Sequence, residues 1–377
     1  MSPEQIAEIR AAARHQDWHD VRHRLAEFAR SFDGAPAEPL TPELRLAEAD
    51  AMRGQGDLAA ASAAYERLAD GGHGRWSARA IHGLGACHLE VGSHERAAQL
   101  AQMAMDQSPD DHGLMERGRI LFARAGARTD LPAATSYLQN ALSRSVTPGS
   151  ARAHGRLVLG DMFLLAGAHG RALREIRLAR ADARALDAPR TLADALRLEA
   201  EMYVRLGDQA KIGAAMRELV HAENLYRGIG DQGICALLLC RGNAHRALGQ
   251  NRMAERELMR ASVLASGAQN QIIHAHALLA LADLARVSGD PDPEKLRRAS
   301  AIYRRISHER GIHYCHLLLG LGAASAGRPE VAAQAFASVA AHADATPQIF
   351  TDADRRLVSE AAAGSLDSRP IAFAFLI

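Results

Sequence analysis

The chain has 377 residues, 48% of them hydrophobic yet only 4% aromatic, with 45 basic and 44 acidic side chains for a net charge of +1. So even a balance offers no broad basic field to nucleic acid and no acidic tail. The alanine-rich, aromatic-poor apolar fraction argues against a β-sandwich and suits closely packed helices, so an all-α protein is expected.

Four cysteines (Cys87, Cys235, Cys240, Cys315) are scattered among apolar residues without a CxxC pair. Buried free thiols in a reducing compartment are the expectation. MSPEQIAEIR lacks an apolar signal core, and no stretch approaches the roughly 20 residues of a membrane span. A soluble, cytoplasmic chain with no membrane partner follows.

In chain order, Ser2-Pro3 starts a helix, with Ser as N-cap and Pro at the first helical position. Ile6, Ile9, Ala13, Trp18, Val21, Leu25 and Phe28 make an amphipathic pair turned at Gln16-Asp17, so residues 1–34 are expected to be an N-terminal helical cap. Residues 34–40 (GAPAEPL) read as a linker, and Thr41-Pro42 restarts a helix.

From there one unit repeats, seen most clearly in residues 81–109, IHGLGACHLEVGSHERAAQLAQMAMDQSP. It reads as two short helices hinged at Gly92, with Leu84, Gly85 and His88 on the first and Ala97, Ala101 and Ala104 on the second. Small residues at i and i+3/i+4 let helices approach closely, and glycine at a helix end reverses the chain. The arrangement recurs around Gly56, Gly92, Gly167, Gly207, Gly249, Gly289 and Gly327, and in blurred form at Gly126. One such hairpin cannot bury its own apolar face and needs neighbours stacked against it.

Leu84, Gly85, Gly92, Ala97, Ala104 and Pro109 resemble the tetratricopeptide repeat, L-G-x2-Y, a turn glycine, A-x3-F and a closing Pro, with His88 and Ala101 in place of the aromatics. The longer spacing of the second half is similar to the forty-residue repeats of bacterial signalling and regulatory proteins. The resemblance covers residues 41–345. It implies an α-solenoid, a right-handed superhelix of about eight or nine helix pairs making roughly one turn, with contacts only between neighbours. Residues 290–293 (DPDP) shift the next helix, placing Ala299 and Tyr303 inward. Residues 146–150 (VTPGS) read as a loose connection.

Residues 346–377 form a last domain. Helical character runs to Ala363, Gly364 breaks it, and Ile371, Phe373, Phe375 and Ile377 alternate with Ala372, Ala374 and Leu376 as an extended segment. Two readings stand for this tail: it covers the open face of the last repeat, or it docks on a partner or into the chain's own groove. Its apolar residues also raise self-association.

The resemblance further implies that the first helix of each pair lines a concave groove. The positions it directs inward include Arg53, Asp161, Arg197, Glu201, Asn243, Arg246, His276, Asp283, Arg286 and Tyr314. The Asn243 amide suits an extended peptide backbone, because it can both donate and accept. Arg246 and Arg286 suit an anion. The competing reading pairs these arginines with Asp283 and Glu201 across adjacent repeats, leaving a self-satisfied wall.

His15, His19 and His23 fall at i, i+4, i+8 and could hold a metal, as could His313 and His316 about Cys315, but no carboxylates converge with either set and no metal is expected. No GxxxxGK[ST], GxSxG or HExxH occurs, no GxGxxG follows a strand, and Gly83-Leu84-Gly85 and Gly320-Leu321-Gly322 sit at helix-packing positions. No separate basic recognition helix stands outside the array. The reading is thus a non-catalytic scaffold without cofactor, holding a protein or peptide segment in its groove. The alternative is a regulatory sensor whose superhelix changes on binding.

Overall fold

The computed structural model describes residues 3–30, 40–144, 149–230, 233–366, 370, 371 and 373. Residues 34–39 of the expected linker, residues 146–148, and Phe375 and Ile377 lie outside them.

Nineteen helices follow one another among the described residues. They are α1 (Pro3–His15), α2 (Trp18–Arg30), α3 (Pro42–Gly54), α4 (Leu58–Asp70), α5 (Arg75–Glu90), α6 (His94–Gln107) and α7 (His112–Gly126). Then come α8 (Leu131–Arg144), α9 (Ser150–Leu165), α10 (His169–Ala185), α11 (Pro189–Leu206), α12 (Gln209–Ile229) and α13 (Gly233–Ala247). The last are α14 (Asn251–Gly267), α15 (Gln271–Val287), α16 (Pro293–Arg305), α17 (Glu309–Ser325), α18 (Pro329–Ala345) and α19 (Asp352–Ala362). Consecutive helices pair into nine hairpins, and α19 packs on α17 and α18 at the end. The all-α solenoid is thereby established.

Local chemistry sets the helix limits. All seven hinge glycines adopt φ between 66° (Gly207) and 89° (Gly92), the left-handed region where a Cβ is strained. Gly126 does not: it ends α7 in helical conformation, which is why the pattern blurs there. Asp57, Asp111, Asp208, Asn270 and Asp292 cap helix starts with their side chains, and Thr351 and Asp354 complete a capping box on α19.

The stack is held by interlocks that cross from one hairpin to the next. Tyr65, Tyr226 and Tyr303 are fully buried on the second helices of their hairpins. Each ring lies where a Cβ on the following first helix would stand, at 2.4 Å for Gly83, 2.3 Å for Gly233 and 2.4 Å for Gly311. The apolar interior is correspondingly a row of clusters, beginning with Ile9, Trp18 and Val21 against Leu44 and Ala51. It ends with Ala299, Tyr303, Leu317 and Phe336 against Ile371 and Phe373.

The first helices form the enclosed inner layer: α15 buries 13 of its 17 residues, whereas α14 buries only six of 17. Contacts are not confined to neighbours, and here the expectation fails. A Cβ on Gly92 would stand 2.8 Å from Ile306, and one on Gly230 would stand 3.4 Å from His19. The Leu131 amide donates to the Gln348 carbonyl at 3.0 Å. Each pair is five hairpins apart, so nine hairpins wind nearly two turns rather than one, and successive turns touch.

Candidate functional site

All ten residues expected in the groove lie on first helices: Arg53 on α3, Asp161 on α9, Arg197 and Glu201 on α11. Asn243 and Arg246 follow on α13, His276, Asp283 and Arg286 on α15, and Tyr314 on α17. The structure divides nine of them into two groups and leaves His276 apart.

The C-terminal group surrounds the chain's own tail. Asp283 is fully buried on α15 and ion-pairs with Arg286 one turn along, at 2.7 Å, and with Arg246 on the adjacent repeat. Its Oδ2 also accepts the main-chain N–H of Ile371 at 2.7 Å. Arg246 donates to the Ile371 carbonyl at 3.4 Å and to Asn243 Oδ1 at 2.8 Å. Arg286 donates to the Leu366 carbonyl at 3.0 Å. The tail backbone is thus held at Leu366 and Ile371 by side chains of α13 and α15, and the Phe373 N–H turns back onto the Ile371 carbonyl at 3.1 Å, so the chain turns tightly there and is not extended as the alternation suggests. Burial pushes the Arg246 guanidinium below its usual range, and Asp283 opposes the shift. An arginine so far from water keeps its charge through that carboxylate.

Side chains complete the contact. Phe373 meets the Tyr314 ring edge-on with centroids 5.2 Å apart, and Arg246 lies 5.5 Å over the Phe373 ring. Tyr314 donates to Asp354 Oδ1 at 2.7 Å, tying α17 to α19. Beside the tail a cleft of about 700 Å³ remains, bordered by Val204, Gly207, Asn243, Ala247, Ile371 and Phe373.

The middle group is a polar wall. Arg53 pairs with Glu90 at 2.8 Å, and Arg197 with Glu201 at 3.2 Å; Glu201 also holds Arg205. Burial works against the charge of Arg197, yet Tyr226, Asp194 and Glu201 hold its pKa above the ordinary value. Between these residues lies a cavity of about 150 Å³ reached by Arg124, Asp161 and His154. Arg124, on α7, forms no hydrogen bond or ion pair among the described residues. It escapes the sequence reading because α7 lacks a left-handed hinge glycine from which to count positions.

Glu201 therefore pairs within its own helix and not with Arg246 or Arg286, whereas Asp283 does bridge adjacent repeats. His276 is separate again: it hydrogen-bonds Tyr303 at 2.6 Å, and burial, then Arg128 and Arg205, hold it neutral. His15 ends α1 while His19 and His23 lie exposed on α2, so the three share no helix face. No group of three metal-ligating side chains converges among the described residues. All four cysteines are buried and free. Burial raises Cys240 and Cys315 to about 12 and Cys87 to about 11, which leaves unreactive thiols. No helix among the described residues is long and apolar enough to cross a membrane.

No known family profile matches the sequence, and no curated protein matches it. Solved structures similar to it in fold include a Rap protein complexed with Competence and Sporulation Factor. That chain is 12% identical with a TM-score of 0.47, covering 96% of this chain and 98% of the other. The apo form of the quorum sensor NprR from B. thuringiensis is 14% identical with a TM-score of 0.47, covering 89% and 97%. A tetratricopeptide repeat protein from Parabacteroides merdae is 16% identical with a TM-score of 0.41, covering 74% and 100%.

Proposed function

We propose that the chain is a helical-repeat scaffold whose concave groove holds an extended segment of a protein partner, without chemistry on it. One observation carries this reading: the groove already grips a peptide backbone at both its N–H and its C=O, through Asp283 and Arg246 on Ile371. Backbone recognition of this kind accepts any extended segment and leaves selectivity to the side-chain pockets around it. The test is site-specific photocrosslinking in the producing cell. A benzophenone side chain at Val204, on the cleft, is expected to trap a segment of another protein, identified by mass spectrometry. The same group at Leu178, 42% exposed on α10, is expected to trap none of it. Crosslinks from Leu178 alone would sink the groove as the working surface.

A second reading, a ligand-responsive sensor, is favoured by the junction between turns. There Arg128 contacts His308, and burial, followed by Arg310 and Arg124, brings Arg128 down to about 9. The Arg128 guanidinium, buried near the cations Arg310 and Arg124, regains water when the turns part, so a ligand altering the coil would act there. Hydrogen exchange at the turn between α16 and α17 that stays unchanged while the groove becomes protected would leave the scaffold reading alone.

A further inference from the structure

The cavity of about 150 Å³ in the middle group is bordered by residues of seven first helices, α3, α5, α7, α9, α11, α13 and α15. Two of its arginines are answered by carboxylates: Arg53 meets Glu90 at 2.8 Å, and Arg197 meets Glu201 at 3.2 Å. Arg124 reaches the same space and bonds to none. Burial pushes its guanidinium below the usual range, and Asp161, Glu90 and Asp194 oppose that shift without hydrogen-bonding to it. A guanidinium kept from water with no anion in contact is costly to hold. A planar acceptor with two oxygens would relieve that cost, because it matches the guanidinium fork.

Two neutral donors border the same cavity. His154 makes no hydrogen bond among the described residues, and burial, then Arg124, lowers it to about 4, so the ring is uncharged. Asn270 uses its Oδ1 to cap α15, accepting the Ile273 N–H at 3.1 Å, and its amide N–H groups make no hydrogen bond among the described residues. Leu157, Val158, Leu198, Ala236 and Ile273 supply an aliphatic border. The volume is below the roughly 300 Å³ at which sites for drug-sized ligands begin, and it suits a carboxylate carrying a few carbons. The nearby Glu90, Asp161 and Asp194 disfavour a second negative charge.

We infer that this cavity binds a short aliphatic monocarboxylate, with the carboxylate on Arg124 and the chain against Leu157, Val158 and Ile273. His154 and Asn270 supply further donors to the carboxylate oxygens. This ligand is separate from the partner segment of the proposed groove function, and its site does not depend on Asp283 or Arg246.

The test titrates sodium butyrate into the full-length chain, followed by ligand-observed NMR, with sodium chloride holding the ionic strength constant. One saturable site is expected. Acetate, two methylenes shorter, is expected to bind at least 10-fold weaker, since each buried methylene is worth about fourfold. Butyramide, which keeps the shape without the charge, and succinate, which adds a second charge, are each expected to bind at least 10-fold weaker as well. Arg124→Gln is expected to weaken butyrate at least 10-fold while melting no lower than wild type, because it removes no bond that holds the fold. Arg124→Met takes its place if that variant does not fold. Arg297→Gln, on α16 with its side chain 77% exposed, is expected to leave binding unchanged. Absence of a saturable site, or acetate, butyramide or succinate binding as tightly as butyrate, overturns the inference. So does full binding by the Arg124 variant, or an equal loss in the Arg297 variant. Each of these outcomes leaves the groove function to be decided by the Val204 crosslink.

Discussion

Asp283 accepts the amide of Ile371 at 2.7 Å although 88 residues separate them in sequence. The same carboxylate holds Arg246 and Arg286, so one fully buried side chain ties two repeats and the tail together. Removing one member of such a group is costly, because its partners stay buried without compensation. Asp283→Ala is expected to lower stability by about 3–5 kcal/mol. Urea unfolding followed by circular dichroism measures it, and a loss under about 1 kcal/mol would mean that the triad is solvated.

The interlock of Tyr303 with Gly311 makes a second prediction. A methyl group on Gly311 would stand 2.4 Å from a ring that has no room to move, at 0% exposure. Overpacking there is expected to cost about 1–3 kcal/mol in Gly311→Ala, exceeding the gain of up to ~1 kcal/mol from helix propensity. Gly213, inside α12 with nothing within 4 Å of the same methyl position, is the converse. Gly213→Ala is expected to stabilise by about 0.5–1 kcal/mol. If both variants shift the melting temperature in the same direction, propensity and not packing governs these positions.

Histidine burial sets an acid limit. Burial is the first cause that lowers His82 and His94 to about 3 and His154 and His313 to about 4, against 6.5 when free. These groups take up protons in the unfolded chain but not in the folded one as pH falls below 6.5. Stability is therefore fully present above that pH and is lost progressively down to pH 3–4. His313, 2% exposed, packs its ring 4.4 Å from Phe350, and both its nitrogens are buried without a hydrogen-bond partner. Alone it accounts for about 2 kcal/mol between pH 8 and pH 5. His313→Phe is expected to flatten the pH dependence of the urea midpoint by that amount while leaving stability at pH 8 unchanged or higher. A variant as acid-sensitive as wild type would show that His313 is not titrating in this range.

How far the sequence carries depends on the range of each interaction. Gly56, Gly92, Gly167, Gly207, Gly249, Gly289 and Gly327 were legible because a left-handed residue at a helix end is a local requirement, repeated at a regular spacing. The inward positions counted from them follow from helical period alone, which is why Asn243, Arg246, Asp283 and Arg286 do meet. The Tyr–Gly interlocks were missed: each joins the second helix of one hairpin to the first helix of the next, outside the single repeat in which the pattern was read. The alternation at Ile371 and Phe373 suggests an extended tail, but the Phe373 amide turns back onto the Ile371 carbonyl, and the destination of Ile371 is hidden because Asp283 and Arg246 lie far away in sequence. Contact between turns depends on superhelical pitch, a sum of small rotations that no single repeat displays.

That contact can be tested on its own. Ile306 is the C-cap that follows α16, at 8% exposure, and it faces Gly92 five hairpins earlier, where a Cβ would come within 2.8 Å of it. A carboxylate at Ile306 would be drawn to water, and burying its charge in that contact would be costly enough to pry the turns apart. Ile306→Asp is expected to lower the melting temperature and to raise the radius of gyration measured by small-angle scattering, because the coil lengthens when its turns separate. Leu319→Asp, on α17 at 53% exposure, is expected to change neither. If Ile306→Asp lowers the melting temperature without expanding the particle, its cost is local and the turns stay closed through Leu131 and Gln348, which share a main-chain hydrogen bond of 3.0 Å that no side-chain replacement removes.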